Sequence, residues 1–327
     1  MKRPYFFEVF IVVNFILIQI LLWRITRAPL ATLIKIFAVL VPAFAIQALI
    51  GVAIRLAIKR REYARVVRSA EWLADSARLM VFSVLSVQTY GWIKLAVPLL
   101  HARLFDRELW NADAAMFFGH SPNIFFLEVF SNPLALRFFD WTYANVFVAS
   151  INIASIFFLS DPDRRIRIGF MNSNTLMWIA GAWLYMLVPS LGPAYRFPQV
   201  WLPLSAMLTH TQELQRLLMT NYQHLLRNQE VNVVFGIAAF PSLHVAFEFL
   251  VWLWLRRIWR FGAIVFAIFT IIIFLGSIVT GWHYLIDSIA GIGLASVAYI
   301  VITMPRLRRR TACGMLAYHE AHDREIE

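Results

Sequence analysis

The chain has 327 residues, of which 60% are hydrophobic and 15% are charged, whereas about a quarter of the residues are charged in an ordinary soluble domain. Lys and Arg bring the formal net charge to +11, but they cluster between apolar blocks, which is typical of membrane topology and argues against a nucleic-acid partner. Cys313 is the only cysteine, so an internal disulfide and a cysteine-based metal cluster are excluded.

Eight apolar stretches are long enough to cross a membrane, since about 20 mostly apolar residues span the hydrocarbon core as a helix. The first follows Lys2 and Arg3, exceeds the length of a signal-peptide core and lacks a small-residue cleavage site, so we expect it to be retained. Together the stretches predict an all-α integral membrane protein. The predicted spans are 6–23, 30–57, 79–100, 134–160, 166–188, 242–255, 261–279 and 283–304.

The connections between these spans alternate in charge. Lys and Arg are concentrated after the second, fourth, sixth and eighth spans and are sparse, or balanced by acids, in the other connections. Because cytoplasmic loops are enriched in Lys and Arg, both termini are predicted to be cytoplasmic, and compactness with a single cysteine favours a bacterial plasma membrane. We expect a two-span N-terminal extension (1–76), a six-span catalytic core (77–305) and a loosely ordered basic tail (306–327).

Two connections on the predicted extracytoplasmic side are unusual. Residues 101–133 mix charged and aromatic side chains, which favours a short helix lying in the membrane interface. Residues 189–241 are too many for a simple link between neighbouring spans, so we expect them to fold over this face, where they could cap a site.

Ionisable residues gather at the outer ends of the sixth and eighth spans, where a functional role is the first hypothesis because burial is costly. His283 and Asp287 are one helical turn apart, so the carboxylate can fix the imidazole tautomer and leave the other ring nitrogen free as a nucleophile. His244 lies one span and one turn earlier, which returns it to the same face as a candidate acid and base. The alternatives are an interfacial hydrogen-bonded pair and, for Ser242, a simple helix cap.

The two motifs resemble those of a known family. Pro-Ser-Leu-His, ending at His244, and His-Tyr-x-x-Asp, from His283 to Asp287, resemble the second and third motifs of the type-2 phosphatidic acid phosphatase superfamily, membrane enzymes that transfer a phosphoryl group through a phosphohistidine. Gly-Pro-Ala-Tyr at 192–195 and the Tyr of the third motif are similar to the inositol phosphorylceramide synthase branch. The resemblance covers about residues 79–304 and implies a six-helix core.

Two cations of the phosphatase pattern are missing from this sequence. No Lys stands in the register of the Lys-x6-Arg-Pro first motif, and Gly276-Ser277 replaces the Ser-Arg pair ahead of the nucleophile. Arg196 is then the predicted phosphate ligand, because a guanidinium can pair with two phosphoryl oxygens, although a snorkelling interfacial arginine is its alternative. The other predicted substrate-binding residues are Ser242, Tyr195, Tyr284 and Asp140.

The resemblance implies a phosphotransferase that needs no cofactor and no metal. His283 would attack the phosphorus, Asp287 would support the imidazolium, and His244 would move the protons. A phospholipid, with phosphatidylinositol favoured, would donate its phosphorylated headgroup to a lipid or polyol hydroxyl. A lipid phosphate or polyprenyl pyrophosphate phosphatase is the alternative within the enzyme class. A non-catalytic transporter or scaffold is the alternative from another class, since intramembrane His and Asp also occur in proton pathways.

Overall fold

The computed structural model of the protein describes residues 5–23, 30–58, 60–228 and 236–323. Within these ranges the regular structure is helical and no strand is present, which confirms the all-α prediction. The basic residues expected to flank the first span, Lys2 and Arg3, and the last four residues of the predicted tail lie outside these ranges.

Fourteen α-helices and one short 3-10 turn follow one another in the described residues. Three of the long helices begin at a side-chain cap: Ser69 before α4, Asn132 before α7 and Asp163 before α8 each accept an amide hydrogen of the first turn. The helices are α1 (Phe6–Trp23), α2 (Leu30–Ile58), α3 (Arg60–Val67), α4 (Ala70–Leu100), α5 (Asp106–Met116), α6 (Pro122–Val129), α7 (Pro133–Leu159), α8 (Arg164–Leu187), α9 (Pro193–Arg196), α10 (Pro198–Trp201), α11 (Thr209–Asn228), α12 (Leu243–Leu255), α13 (Arg260–Val279) and α14 (Leu285–Asp323), with the 3-10 turn at Leu202–Leu204.

Six of these helices are long and apolar enough to cross a membrane: α1, α2, α4, α7, α13 and the part of α14 that ends at Met304. The other two predicted spans coincide with α8, whose first turn carries three arginines, and with α12, which is apolar but has only 13 residues. At 1.5 Å per residue α12 is about 20 Å long, shorter than a bilayer core of about 30 Å. The long apolar helices make this a multi-pass membrane protein.

The two predicted extramembrane connections are helical as well. Residues 101–133 form α5 and α6 rather than a single short helix, and the long connection before α12 contains α9, α10, the 3-10 turn and α11. We call the end of the bundle that carries these elements the capped end. Over 306–323 of the predicted tail, α14 continues as a helix to Asp323, on residues such as Arg, Leu and Ala that favour helices.

Six packed helices form the bundle core around the predicted motifs. α12 packs against α8, α13 and α14, while α4 packs against α8 and α7 packs against α13. α1 and α2 lie on the outside of this group, α1 against α4 and α8, and α2 against α4 and α7. At the end away from the cap, Arg55 of α2 pairs with Asp161 at 3.0 Å and fastens α2 to the end of α7.

Candidate active site

A cavity of about 400 Å³ lies at the capped end, between α4, α7, α8, α12 and the connection between α13 and α14. One side of α11 faces it, with Thr211, Leu214, Leu217 and Leu218 in its lining, so the long connection does fold over a site. The remaining lining is largely apolar and aromatic. Its ionisable side chains are Lys94, His244, His283, Tyr90 and Tyr143.

His244 sits in the first turn of α12, which begins directly after Ser242. The Tyr143 hydroxyl lies 3.1 Å from Nδ1 of His244, and the Phe147 ring packs edge-on against the imidazole at a centroid distance of 4.1 Å. These two contacts from α7 orient the ring and occupy Nδ1, which leaves Nε2 to exchange protons with a bound molecule.

His283 faces His244 across the cavity, with the two ring centroids 5.9 Å apart. It belongs to the connection at 280–284, and Asp287 lies in the first turn of α14. Oδ2 of Asp287 is 3.4 Å from Nδ1 of His283 and also accepts the amide hydrogen of Tyr284 at 2.8 Å. The predicted pairing of imidazole and carboxylate is therefore present as a close approach, in which Nδ1 of His283 has no hydrogen-bond partner among the described residues.

Burial and the charge of Lys94 together lower the pKa of His283 to about 3. The ring is therefore neutral near pH 7, and a neutral imidazole has the free lone pair that a nucleophile needs. His283 is only 4% exposed and lies against the backbone of Ala239.

The two motifs meet through their backbones. The amide of Ser242 donates to the carbonyl of Asp287 at 2.9 Å, and Gly291, one turn further along α14, leaves no room for a side chain because a Cβ there would lie 2.3 Å from the Ser242 carbonyl oxygen. The Ser242 hydroxyl is buried and has no hydrogen-bond partner among the described residues. Ser242 thus starts α12 against α14 without capping it by its side chain.

The Gly-Pro-Ala-Tyr segment also packs against the motif of His283. Ala194 donates its amide hydrogen to the carbonyl of Gly281 at 2.9 Å. Gly192 has a φ of 105°, and a Cβ at this position would lie 2.5 Å from the Trp282 carbonyl oxygen. Only glycine fits this conformation and this contact, so the segment shapes the connection that carries His283.

Two buried carboxylates of α5 hold these pieces together. Asp106 accepts amide hydrogens from Gly192 at 2.8 Å and Leu191 at 3.1 Å, and the Tyr284 hydroxyl donates to it at 2.9 Å. Asp113 accepts the amide hydrogens of Leu285 at 2.6 Å and Ile286 at 2.8 Å, the first residues of α14. Both oxygens of Asp113 therefore satisfy helix N-terminal donors next to Asp287.

Burial raises the pKa of both carboxyls, and for Asp113 it reaches about 6. The hydrogen bonds from backbone amides oppose this rise at each site but do not cancel it. In addition, Asn123 of α6 donates to the carbonyls of Ile278 and His283, both at 3.0 Å. α5 and α6 thus act as supports for the connection that carries His283.

Sequence reasoning missed these supports, and it missed Lys94 as well. In the sequence, Asp106 and Asp113 are simply two of the acids that balance the basic residues of their connection. Lys94 is an ammonium inside an otherwise apolar span, which is itself a signal of a functional site. Its Nζ lies 5.5 Å from the Tyr185 ring centroid and 5.8 Å from that of Tyr90, and it forms no ion pair within the described ranges.

Several predicted substrate-binding residues lie elsewhere. Arg196 is exposed, stacks on Phe197 at 5.8 Å and is not part of the cavity lining.

The Tyr195 hydroxyl donates to the carbonyl of Gln215 at 3.0 Å, and Tyr284 is fully buried on Asp106. Asp140 accepts the amide hydrogens of His210 and Thr211 at the start of α11. The contacts of these tyrosines and of Asp140 are with the protein itself.

Comparison with known proteins gives one family match. The family described as the PAP2 superfamily matches residues 107–301, which is more than half of the chain and includes both histidine motifs. No curated protein and no solved structure matches the chain. PAP2 proteins are generally phosphatases or enzymes of related phosphoryl-transfer chemistry. With its paired histidine motifs converging on one cavity in a multi-pass helical bundle, the chain belongs to the PAP2 superfamily.

Proposed function

We propose that the protein is a membrane lipid phosphotransferase that moves a phosphorylated headgroup from a phospholipid to a lipid or polyol hydroxyl through a phosphohistidine at His283. The observation that carries the proposal is that His283, His244 and Lys94 line one largely apolar cavity. We further propose that the protein lies in a bacterial plasma membrane, with both termini in the cytoplasm and this cavity on the opposite side.

In the first half of the reaction, Nε2 of His283, the ring nitrogen that does not face Asp287, attacks the phosphorus of the donor. The bond from phosphorus to the lipid alkoxide breaks. His244, which the negative charge of the bound headgroup favours in its protonated form, gives its proton to that oxygen. Asp287 accepts the Nδ1 hydrogen of His283 and stabilises the positive charge that develops on the ring. The Lys94 ammonium offsets the negative charge on the phosphoryl oxygens, the role that the sequence alone had suggested for Arg196.

In the second half, neutral His244 takes a proton from an incoming hydroxyl as the hydroxyl oxygen attacks the phosphorus. The bond between phosphorus and the His283 nitrogen breaks, which returns His283 to its neutral form and His244 to its protonated form. No proton is gained or lost over the cycle. Tyr143 keeps the His244 ring in one orientation through both steps, since its hydroxyl stays within hydrogen-bonding distance of Nδ1.

The roof of the cavity favours transfer over hydrolysis. Leu214, Leu217 and Leu218 of α11 turn apolar side chains into the cavity above the histidines, which lowers the amount of water that can compete with an alcohol. Inositol phosphate is the headgroup we favour, on the similarity of the third motif to inositol phosphorylceramide synthases. A lipid phosphate phosphatase uses the same first half-reaction with water as the acceptor in the second.

The test is headgroup transfer from labelled phosphatidylinositol in detergent, with and without a lipid alcohol. Wild type should label the acceptor, and His283→Ala and His244→Ala should not. His210→Ala is the matched control, because this histidine is exposed in the same outer region and lies outside the cavity lining. After acid-free quenching, an acid-labile label on the protein should be present in wild type and absent from His283→Ala.

Each result has a distinct meaning. Label released to water in place of label on the acceptor would make the protein a hydrolase of the same mechanism. Full activity in His283→Ala, or no product from phosphoinositide, phosphatidate and polyprenyl phosphate donors alike, would show that the phosphohistidine assignment is wrong.

A further inference from the structure

A second cavity, of about 240 Å³, lies next to the catalytic cavity, on its side away from the capped end. The two share Tyr90 of α4 and Trp178 of α8 in their linings, so these two aromatic side chains stand at the junction between them. The second cavity is lined mainly by Leu, Ile, Phe, Met and Val side chains from five helices.

Each of four helices passes from the first cavity into the second as it leaves the capped end. On α7 the lining changes from Tyr143 and Phe147 to Ile151 and Ala154, and on α12 it changes from His244 to Phe247, one turn deeper. The same order holds on α4, from Lys94 to Tyr90 and Leu79, and on α8, from Trp178 to Arg167. The two cavities therefore lie end to end along the helix axes.

The length of the second cavity is that of a chain rather than of a headgroup. Its lining on α4 runs from Leu79 to Tyr90, a rise of about 16 Å at 1.5 Å per residue. At the far end, Arg167 is held by the Ser76 hydroxyl at 2.6 Å and stacks on Trp72 at 4.6 Å, which closes the apolar stretch with a polar group. A molecule that fills this space is long, narrow and apolar.

The predicted N-terminal extension supplies one wall. α2 packs against both α4 and α7 and places Phe44 in the lining. It thereby covers the gap between those two helices on the side away from α8. This wall separates part of the second cavity from the surrounding lipid.

We propose that this second cavity binds the hydrocarbon chain of the lipid whose phosphorylated end occupies the catalytic cavity. The inference rests on the proposed function, because it takes the substrate to be a lipid phosphate ester or diester. The phosphorus lies between His283 and His244, and the chain continues into the space beside α2. The Tyr90 and Trp178 rings are in T-shaped contact at this junction, with centroids 4.9 Å apart, so they separate when the chain enters. The preferred substrate then has one long chain that leaves the bilayer and enters the protein.

In a membrane, the preference for a substrate with one long chain is set by the shape of the cavity more than by its hydrophobicity, because lipid tails are about as apolar as the cavity lining. A water-soluble substrate reveals the site more directly, since each methylene moved from water into an apolar cavity tightens binding about fourfold, or ~0.8 kcal/mol. Catalytic efficiency should therefore rise with chain length until the cavity is full.

The experiment compares two matched substitutions on α7. Ala154→Phe places a ring in the second cavity, whereas Ala149→Phe places the same ring on an exposed face of the same helix. Hexyl, dodecyl and hexadecyl esters of one phosphorylated headgroup are assayed in detergent for kcat/KM. Ala154→Phe should lose the advantage of the longer chains by about tenfold or more while it retains the hexyl rate, and Ala149→Phe should follow wild type at every length.

Two additions separate the possible failures. Ser86→Phe tests the same cavity from α4, in case Ala154→Phe does not fold. A hexadecyl phosphate that carries a diazirine at its far end is photolysed on each protein, and it should label the lining segments of α4 and α7 in wild type and Ala149→Phe. Loss of this label in Ala154→Phe supports the site even when no turnover is found, which would count against the proposed function alone. A chain-length profile and a labelling pattern that stay at wild type in both cavity variants would overturn the inference.

Discussion

Replacement of Asp113 by Ala tests whether α5 holds the active site in place. The substitution leaves the amide hydrogens of Leu285 and Ile286 without their acceptors, and each buried donor without a partner costs about 1–3 kcal/mol. Water that enters the space left by the carboxylate recovers part of this, so we take about 2 kcal/mol as the net penalty on the first turn of α14. Since His283 and Asp287 flank these two amides, kcat/KM should fall about 30-fold.

The assay is headgroup transfer in detergent, alongside the thermal unfolding midpoint of each variant. Asp113→Asn keeps one acceptor oxygen and should fall between wild type and Asp113→Ala in both measurements. Glu108→Ala is the control on the same helix, because Glu108 is exposed and pairs only with Arg103 at 2.6 Å in the described part of the chain. If Asp113→Ala retains the catalytic efficiency of Glu108→Ala, α5 does not position His283.

Three further predictions follow from the same geometry. Lys94→Met should lower kcat/KM by about 100-fold or more, as loss of a group that stabilises transition-state charge does, while Arg196→Met should stay near wild type. The reverse order of effects would restore Arg196 as the phosphate ligand. Asp140→Ala removes the carboxylate that accepts two amide hydrogens at the start of α11, so α11 should be held less firmly over the cavity. The ratio of headgroup released to water over headgroup transferred should then rise, and an unchanged ratio would show that α11 does not exclude water. Burial raises the pKa of Asp113 from 3.8 to about 6, so the folded protein holds this proton more tightly than the unfolded chain does. Acidification through that window therefore adds stability from this group, but it disrupts the hydrogen bonds that the carboxylate accepts. Wild type should lose activity below about pH 6 with no matching loss of stability from Asp113, and Asp113→Asn should lack this limb of the pH profile.

The parts of the site that sequence reasoning found are those whose chemistry is local. His283 and Asp287 belong to one short motif, and their separation by one helical turn is enough to predict that they meet. His244 was placed opposite them because an apolar helix, a tight turn and a second apolar helix return the chain to the same face. The structure brings His244 and His283 to the same cavity, as this reasoning predicted.

The parts that sequence reasoning missed depend on contacts between distant segments. Asp106 and Asp113 accept hydrogen bonds from residues that lie far along the chain, at Gly192 and Leu285. Nothing in their neighbouring sequence distinguishes them from solvated loop acids. Arg196 shows the opposite error, since its place next to a motif does not reveal which way its side chain turns after α9. Lys94 was available from sequence, because a lone ammonium in an apolar span is costly unless it has a use.

The spacing of the two α5 carboxylates has a consequence for how this segment can change in length. Asp106 and Asp113 are separated by just under two turns, about 10 Å along the axis, and each grips a different segment of the site. Insertion or deletion of a single residue between them would rotate Asp113 by about 100° and point it away from α14. Connecting segments usually vary freely in length, but in this one the number of residues between Asp106 and Asp113 is fixed, because both carboxylates have to face their partners at once.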